Sequence, residues 1–162
     1  MSKKSIGQIL SRLHHVGVLV SDMNRAVEHY EKLGFGRFLP SRLVHIDREM
    51  HGKPAPDVKN IGKGLRLGPI GFELVQPVAG QSIQKEYLKT RGECINHIAF
   101  VVDDIQEAIA VMIQEGFKLI SYAKNEGGGG MAYFDTDKVG GVQIELEQLP
   151  PFLADDPFWN TA

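Results

Sequence analysis

The stretch from His15 to Phe35 recurs without a gap from His97 to Phe117, at an offset of 82 residues. His15/His97, Val20/Val102, Asp22/Asp104, Ala26/Ala108, Gly34/Gly116 and Phe35/Phe117 coincide. Each copy is later followed by an apolar segment carrying one carboxylate, Phe72-Glu73-Leu74 and Ile144-Glu145-Leu146. A chain that repeats a unit of this kind is constrained to a two-fold arrangement. One histidine and one glutamate per copy then suggest a shared site with four metal ligands.

The repeated unit reads as strand, helix, then further strands. Val16, Val18 and Val20 alternate as a half-buried strand does, and Ile98, Phe100 and Val102 match them. Asp22 and Asp104 stand at helix N-caps, where a carboxylate accepts from free backbone N–H groups. Met23, Ala26, Val27, Tyr30 and Leu33 follow at helical spacing, as do Ile105, Ala108, Ile109 and Met112. Gly34 and Gly116 supply the left-handed stop. Further strands are expected near 37–46, 64–67 and 72–76, then 118–122, 131–135 and 142–147. A polar loop with Pro54 and Pro56 is expected over 47–60, and a linking helix near 81–91. The fold class is therefore α+β: paired βαβββ modules, about 11–78 and 94–148, forming a cup-shaped, barrel-like mixed sheet with helices outside. The tail from 149 to 162 is aromatic enough to need covering by the body or by a second subunit, so a homodimer is expected.

A length of 162 residues suits one such paired domain. A formal charge of −2 and the lack of a basic patch argue against nucleic acid or an anionic membrane surface as partner. No apolar run is long enough to span a bilayer, and the start of the chain has no apolar core followed by a small-residue cleavage site. Cys94 is the single cysteine, so no intrachain disulfide can form. A cytoplasmic location is expected.

Side chains alternate across a strand. With Val16, Val18 and Val20 toward the helix, His15 points to the other face, and His97 does the same in the second copy. Phe72 and Leu74 facing the helix leave Glu73 on that same far face, and Glu145 matches it. Gly17 and Ala99 leave room beside the histidines. A lone histidine on a strand is ordinarily a satisfied core or surface residue. Equivalence by duplication is what sets these four apart. Two carboxylates gathered in a partly dry cup repel one another, and a divalent cation removes that conflict. Two imidazoles and two carboxylates suit one divalent ion, with Zn, Co, Ni, Mn and Fe all admissible.

These features resemble the vicinal oxygen chelate (glyoxalase/bleomycin-resistance) superfamily, whose members pair βαβββ modules around one metal. Within it, Leu13-His-His-Val-Gly-Val18, Phe72-Glu-Leu-Val-Gln-Pro77, Ile95-Asn-His-Ile-Ala-Phe-Val-Val-Asp-Asp104 and Gly140-Gly-Val-Gln-Ile-Glu-Leu-Glu-Gln148 are most similar to the methylmalonyl-CoA epimerases. The resemblance implies His15, Glu73, His97 and Glu145 as metal ligands, with His14 a weaker candidate whose side chain turns toward the helix layer. It implies an isomerase that abstracts a proton next to a carbonyl of a small-molecule acid or acyl thioester. Glu145 is the first candidate for catalytic proton transfer. Some epimerases carry a second glutamate on the preceding strand, whereas Ile61-Gly-Lys-Gly-Leu-Arg-Leu67 has none. Lys63 or a residue of the 47–60 loop is the candidate to take its place.

Three rivals share the fold: a glyoxalase I-type lyase on a thiol hemithioacetal, a ring-cleaving dioxygenase, and a non-catalytic small-molecule-binding protein. No clear basic cluster for glutathione carboxylates supports the first. The fourth protein ligand obstructs oxygen chemistry in the second, and the third usually lacks the ligands. Among other features, Gly127–Gly130 reads as a rim over the cup. His45, Arg48 and His51 read equally as a solvated edge or as contacts for an acidic substrate. Tyr133 and Phe134 read as core, and Phe158 with Trp159 as an interface plug.

Overall fold

The strand around His15 is where the chain commits its two faces. In the computed structural model, which describes residues 4–160, a short helix α1 (Ile6–Ile9) leads into β1 (Leu13–Leu19) and α2 (Met23–Lys32). Val18 and Val20 pack on Met23 and Ala26 of α2, while Leu19 packs on the other side against Val75 and Tyr87. Asp22 caps α2 by accepting from the Arg25 backbone N–H, and Gly34 follows the helix with φ 89°. Then come β2 (Leu39–Pro40), β3 (His45–Met50), β4 (Lys53–Pro54), β5 (Lys59–Leu67), β6 (Ile70–Ala79) and α3 (Ile83–Arg91). The second copy supplies β7 (Cys94–Val101), α4 (Ile105–Gln114), β8 (Leu119–Asn125), β9 (Gly130–Phe134) and β10 (Gln143–Gln148). Asp104 caps α4 through the N–H groups of Gln106 and Glu107, and Gly116 has φ 91°.

All ten strands form one mixed sheet in the order β2-β5-β6-β1-β7-β10-β9-β8-β3-β4. β1 pairs antiparallel with β7, so the two copies meet within a single chain, and β1–β6 and β7–β10 are the parallel pairs. Placing β6 beside β1 brings Glu73 opposite Gly17, and placing β10 beside β7 brings Glu145 opposite Ala99. The sheet curls into a half-barrel with an α+β architecture. Its outer layer is two apolar clusters, one around α2 with Phe38, Leu65 and Leu74, the other around α4 with Phe134 and Leu146.

The segment from 47 to 60 is not the loop expected from its polarity. β3 runs antiparallel to β8 of the second copy, and a tight turn returns the chain through β4. Pro54 is tolerated there because β4 has only one neighbour, leaving no second ladder that needs its missing N–H. The strand expected over 37–46 is split between β2 (Leu39–Pro40) and the first two residues of β3, His45 and Ile46.

The aromatic tail folds onto its own body. Leu153, Phe158 and Trp159 are buried with Leu43 and Leu149 beside them. Asp156 turns the chain by accepting from the backbone N–H groups of Phe158 and Trp159. Phe158 occupies the space over Gly64, where a Cβ would lie 2.6 Å from its ring. Among the described residues, no helix is long and apolar enough to cross a membrane.

Candidate metal centre

His15, Glu73, His97 and Glu145 come from four adjacent strands, β6-β1-β7-β10, and meet on the face away from α2 and α4. Both imidazoles are at most 1% exposed. Donor atoms of His15, Glu73 and His97 all lie within 4.8 Å of one another. Each Nε2 stands 3.4 Å from Glu73 Oε2, and the two Nε2 atoms are 3.3 Å apart. Glu145 Oε2 joins them at 3.4 Å from His15 Nε2 and 3.2 Å from His97 Nε2. Gly17 is required by this convergence: a Cβ there would lie 1.9 Å from His97 Cε1.

Hydrogen bonds behind the rings decide which nitrogen faces inward. His97 Nδ1 is 3.0 Å from Asn96 Oδ1 and donates to it, which leaves the Nε2 lone pair toward the cluster. For His15 the partner is His14, with the two Nδ1 atoms 2.8 Å apart. His14 Nε2 is 3.3 Å from the Trp159 carbonyl, an atom that can only accept, so His14 donates there. Its Nδ1 must then accept from His15 Nδ1–H, which leaves the inward Nε2 as the nitrogen that gains or gives up a proton. The Arg66 guanidinium lies 3.5 Å from His14 Nε2, too far to reverse this order. His14 thus does not turn to the helix layer. A register shift between Leu13 and His15 breaks the alternation and seats its ring flat on Trp159, with centroids 4.7 Å apart and planes at 24°. Trp159, expected as an interface plug, holds the hydrogen-bond chain that orients His15.

The electrostatics fit a cation. Burial pushes the His15 imidazole down, yet the close contact and charge of Glu145 and Glu73 prevail and hold it up to about 10. Burial raises both carboxyls, but His15 and His97 bring Glu73 and Glu145 below the usual range. His14 drops to about 4 through burial and the neighbouring His15 charge, and so stays neutral as an acceptor. Positive charge is thus drawn into the middle of the cluster. Donors bound to one metal at 2.0–2.2 Å stand about 3.0–3.5 Å from each other, which is the spacing observed between each histidine and each carboxylate. Glu145 Oε2 is moreover buried with no hydrogen bond of proper geometry. The donor set therefore fits one divalent ion.

Above the cluster opens a cup of about 330 Å³. Tyr133, paired across from Glu145, is buried in the core with Ile83 and Met131 and also lines the cup, while Phe134 belongs to the core around α4. Glu147 sits two residues beyond Glu145 on the same face, hydrogen-bonded by Asn125 Nδ2 at 2.6 Å. Burial and the Glu145 charge raise its carboxyl well above the usual range. Of the 47–60 segment, Arg48 and Asn60 line the cup, as does His45 just before it, whereas Lys63 and His51 do not. Bulges and the tail placed His14, Trp159 and Arg48, and neither leaves a periodic signal.

Residues 14–134 match the family described as the Glyoxalase/Bleomycin resistance protein/Dioxygenase superfamily, a stretch that ends before Glu145. The mitochondrial methylmalonyl-CoA epimerase of Bos taurus is 26% identical over 145 residues, covering 86% of this chain and 75% of that protein. An uncharacterised protein of Bacillus subtilis (strain 168), YqjC, is 24% identical over 139 residues, covering 85% and 91%. Among solved structures, the methylmalonyl-CoA epimerase of Mycobacterium tuberculosis is similar with a TM-score of 0.61, 22% identity and coverage of 96% and 97%. A Streptomyces coelicolor methylmalonyl-CoA epimerase variant in complex with 2-nitronate-propionyl-CoA gives a TM-score of 0.61, 22% identity and coverage of 85% and 96%.

Proposed function

The chain belongs to the glyoxalase/bleomycin resistance protein/dioxygenase superfamily, and from that premise we propose that it is a divalent-metal-dependent epimerase similar to the methylmalonyl-CoA epimerases. The observation that carries this reading is the cluster of two imidazole Nε2 atoms and two glutamate oxygens, 3.2–3.4 Å apart, at the floor of the cup. His15, Glu73, His97 and Glu145 would hold the ion. When bound, it would supply Lewis-acid polarisation of a carbonyl, a contribution of several kcal/mol.

The chain's own groups supply the rest. His14 and Asn96 fix the ring orientations of His15 and His97. Glu145 is the residue assigned to take the proton from the carbon next to the carbonyl, because its buried carboxylate lies at the floor of the cup. A positioned base of this kind contributes about 10²- to 10⁴-fold. Buried walls from Val75, Met131 and Tyr133 keep bulk water from the reacting carbon. Relatives that act on, or are bound to, acyl-CoA compounds support an acyl thioester as ligand here.

The test is deuterium uptake at C2 of 2-substituted malonyl thioesters, methylmalonyl-CoA first, in D2O with the metal-loaded protein. Uptake is expected, falling at least about 100-fold in Glu145→Gln. Turnover of methylglyoxal with glutathione, without C2 exchange, would select the lyase instead. Absence of both in protein carrying one metal per chain would overturn the enzyme reading.

A further inference from the structure

One wall of the cup is built from β3, the strand with no counterpart in the second copy, and its backbone is bent at a specific point. Ile46 pairs with Lys124 and Glu49 with Tyr122, so β3 advances three residues while β8 advances two. The extra residue is a β-bulge, and Asp47 within it has φ 48°. Left-handed backbone costs a non-glycine residue on the order of 1–3 kcal/mol, least for Asp and Asn. Bulges commonly re-aim a side chain, and this one does so. In a regular strand positions 45 and 48 point to opposite faces. Here His45 and Arg48 both line the cup, while Ile46, Asp47 and Glu49 are exposed on the outside.

What the bulge delivers is a half-buried guanidinium that is in no ion pair among the described residues. Arg48 Nη1 is buried and makes no hydrogen bond. Asp47 turns outward to Lys124 at 3.1 Å, and among the described residues no carboxylate lies within ion-pairing distance of Arg48. His45 donates through Nδ1 to Asn125 Oδ1 at 2.8 Å and is neutral, since burial and the Arg48 charge lower it to about 4. Asn60 Oδ1 and Gln84 Oε1, in the same cup, are also buried without partners. A guanidinium removed from water ordinarily acquires a carboxylate or phosphate, because an unpaired buried charge is expensive. Glu145 and Glu147 of the same cup attract Arg48 without closing to ion-pair distance, so a place for a ligand anion is left beside the guanidinium.

We propose that Arg48, carried into the cup by the bulge at Asp47, is a receptor for a carboxylate of the substrate. The forked guanidinium suits a planar carboxylate, so the substrate class is an organic acid with a free carboxylate group. This deepens the epimerase reading in its substrate class, and its test does not depend on turnover.

Trp159 is the single tryptophan and lines the cup, so its fluorescence reports occupancy directly. Methylmalonate and its uncharged diamide are titrated into the metal-free and the metal-loaded protein, with Arg48→Met and Arg48→Lys beside the wild type. Methylmalonate, and not the diamide, is expected to bind. Arg48→Met should weaken it at least about tenfold in both metal states, the usual scale for a hydrogen bond to a charged group. Arg48→Lys, which keeps the charge and loses the fork, should fall between. Near-UV circular dichroism and unchanged metal stoichiometry verify that the variants are folded. Equal methylmalonate affinity in wild type and Arg48→Met overturns the proposal, as does binding of the diamide equal to the diacid, or no binding to the wild type. Failure of the epimerase reading would look different: no metal uptake and no C2 exchange, with Arg48-dependent binding retained.

Discussion

Gly17→Ala is the sharpest perturbation of the proposed metal centre, because one methyl group is aimed at one proposed ligand, His97. The new Cβ would lie 1.9 Å from His97 Cε1 and 2.1 Å from Nε2. Ordinary contact begins near 3.4 Å, so the His97 ring must withdraw by about 1.5 Å. Ligand distances in metal sites hold to about 0.2 Å, and His97 would therefore leave the coordination shell. Mutations that only loosen a ligand's orientation cost about 10- to 100-fold in metal affinity, so losing the ligand should cost at least about 100-fold. Overpacking should lower the stability of the metal-free protein by about 1–3 kcal/mol, or about 2–12 °C in melting temperature. Gly62→Ala is the graded control. Its Cβ would meet only the flexible end of Glu73, Oε1 at 3.2 Å, and the Ser41 Cβ at 3.3 Å, and the expected loss is less than about tenfold. Competition with a chromogenic chelator gives the affinities, and thermal unfolding gives the stability. Wild-type metal affinity in Gly17→Ala would refute the placement of His97 over β1. An equal loss in both variants would show that crowding anywhere in the cup, rather than a displaced ligand, is responsible.

Two further outcomes follow from hydrogen bonds away from the metal donors. His14→Phe keeps a ring against Trp159 but removes the acceptor for His15 Nδ1 and the donor to the Trp159 carbonyl, so metal affinity should fall about 10- to 100-fold and the melting temperature by several degrees; unchanged affinity would remove His14 from the orienting chain. Glu93 accepts from the Ser21 hydroxyl, the Ser21 backbone N–H and the Arg25 guanidinium, which together lower its carboxyl to about 2. A lowered carboxyl stabilises the fold above its unfolded value near 4.5, and that contribution is lost as pH falls toward 2. The group is 38% exposed, so screening limits its worth to less than about 1 kcal/mol. Chemical denaturation should therefore find Glu93→Gln slightly less stable than wild type at pH 7, with the gap closing from pH 4.5 downward. A gap that widened in acid would contradict the sign.

The relation between sequence and site divides along the range of the interactions involved. Helix caps, turn glycines and strand alternation act over a few residues, so Asp22, Gly34, Asp104 and Gly116 were readable where they stand. The duplication carried more, since it related His15 to His97 and Glu73 to Glu145 before any contact was known, and alternation put all four on one face. The pairing of β1 with β7 inside one chain, and of β3 with β8, was decided by tertiary structure, because ladder partners are separated by tens of residues and period-2 patterns do not name them. The bulges that turn His14 and Arg48 add or shift a single residue, which leaves composition untouched while reversing the face of a side chain. Trp159 was legible as a residue too apolar to stay in water. That it stacks on His14 and accepts its N–H depends on the path of the tail across the open edge of the cup, and only the folded chain contains that path.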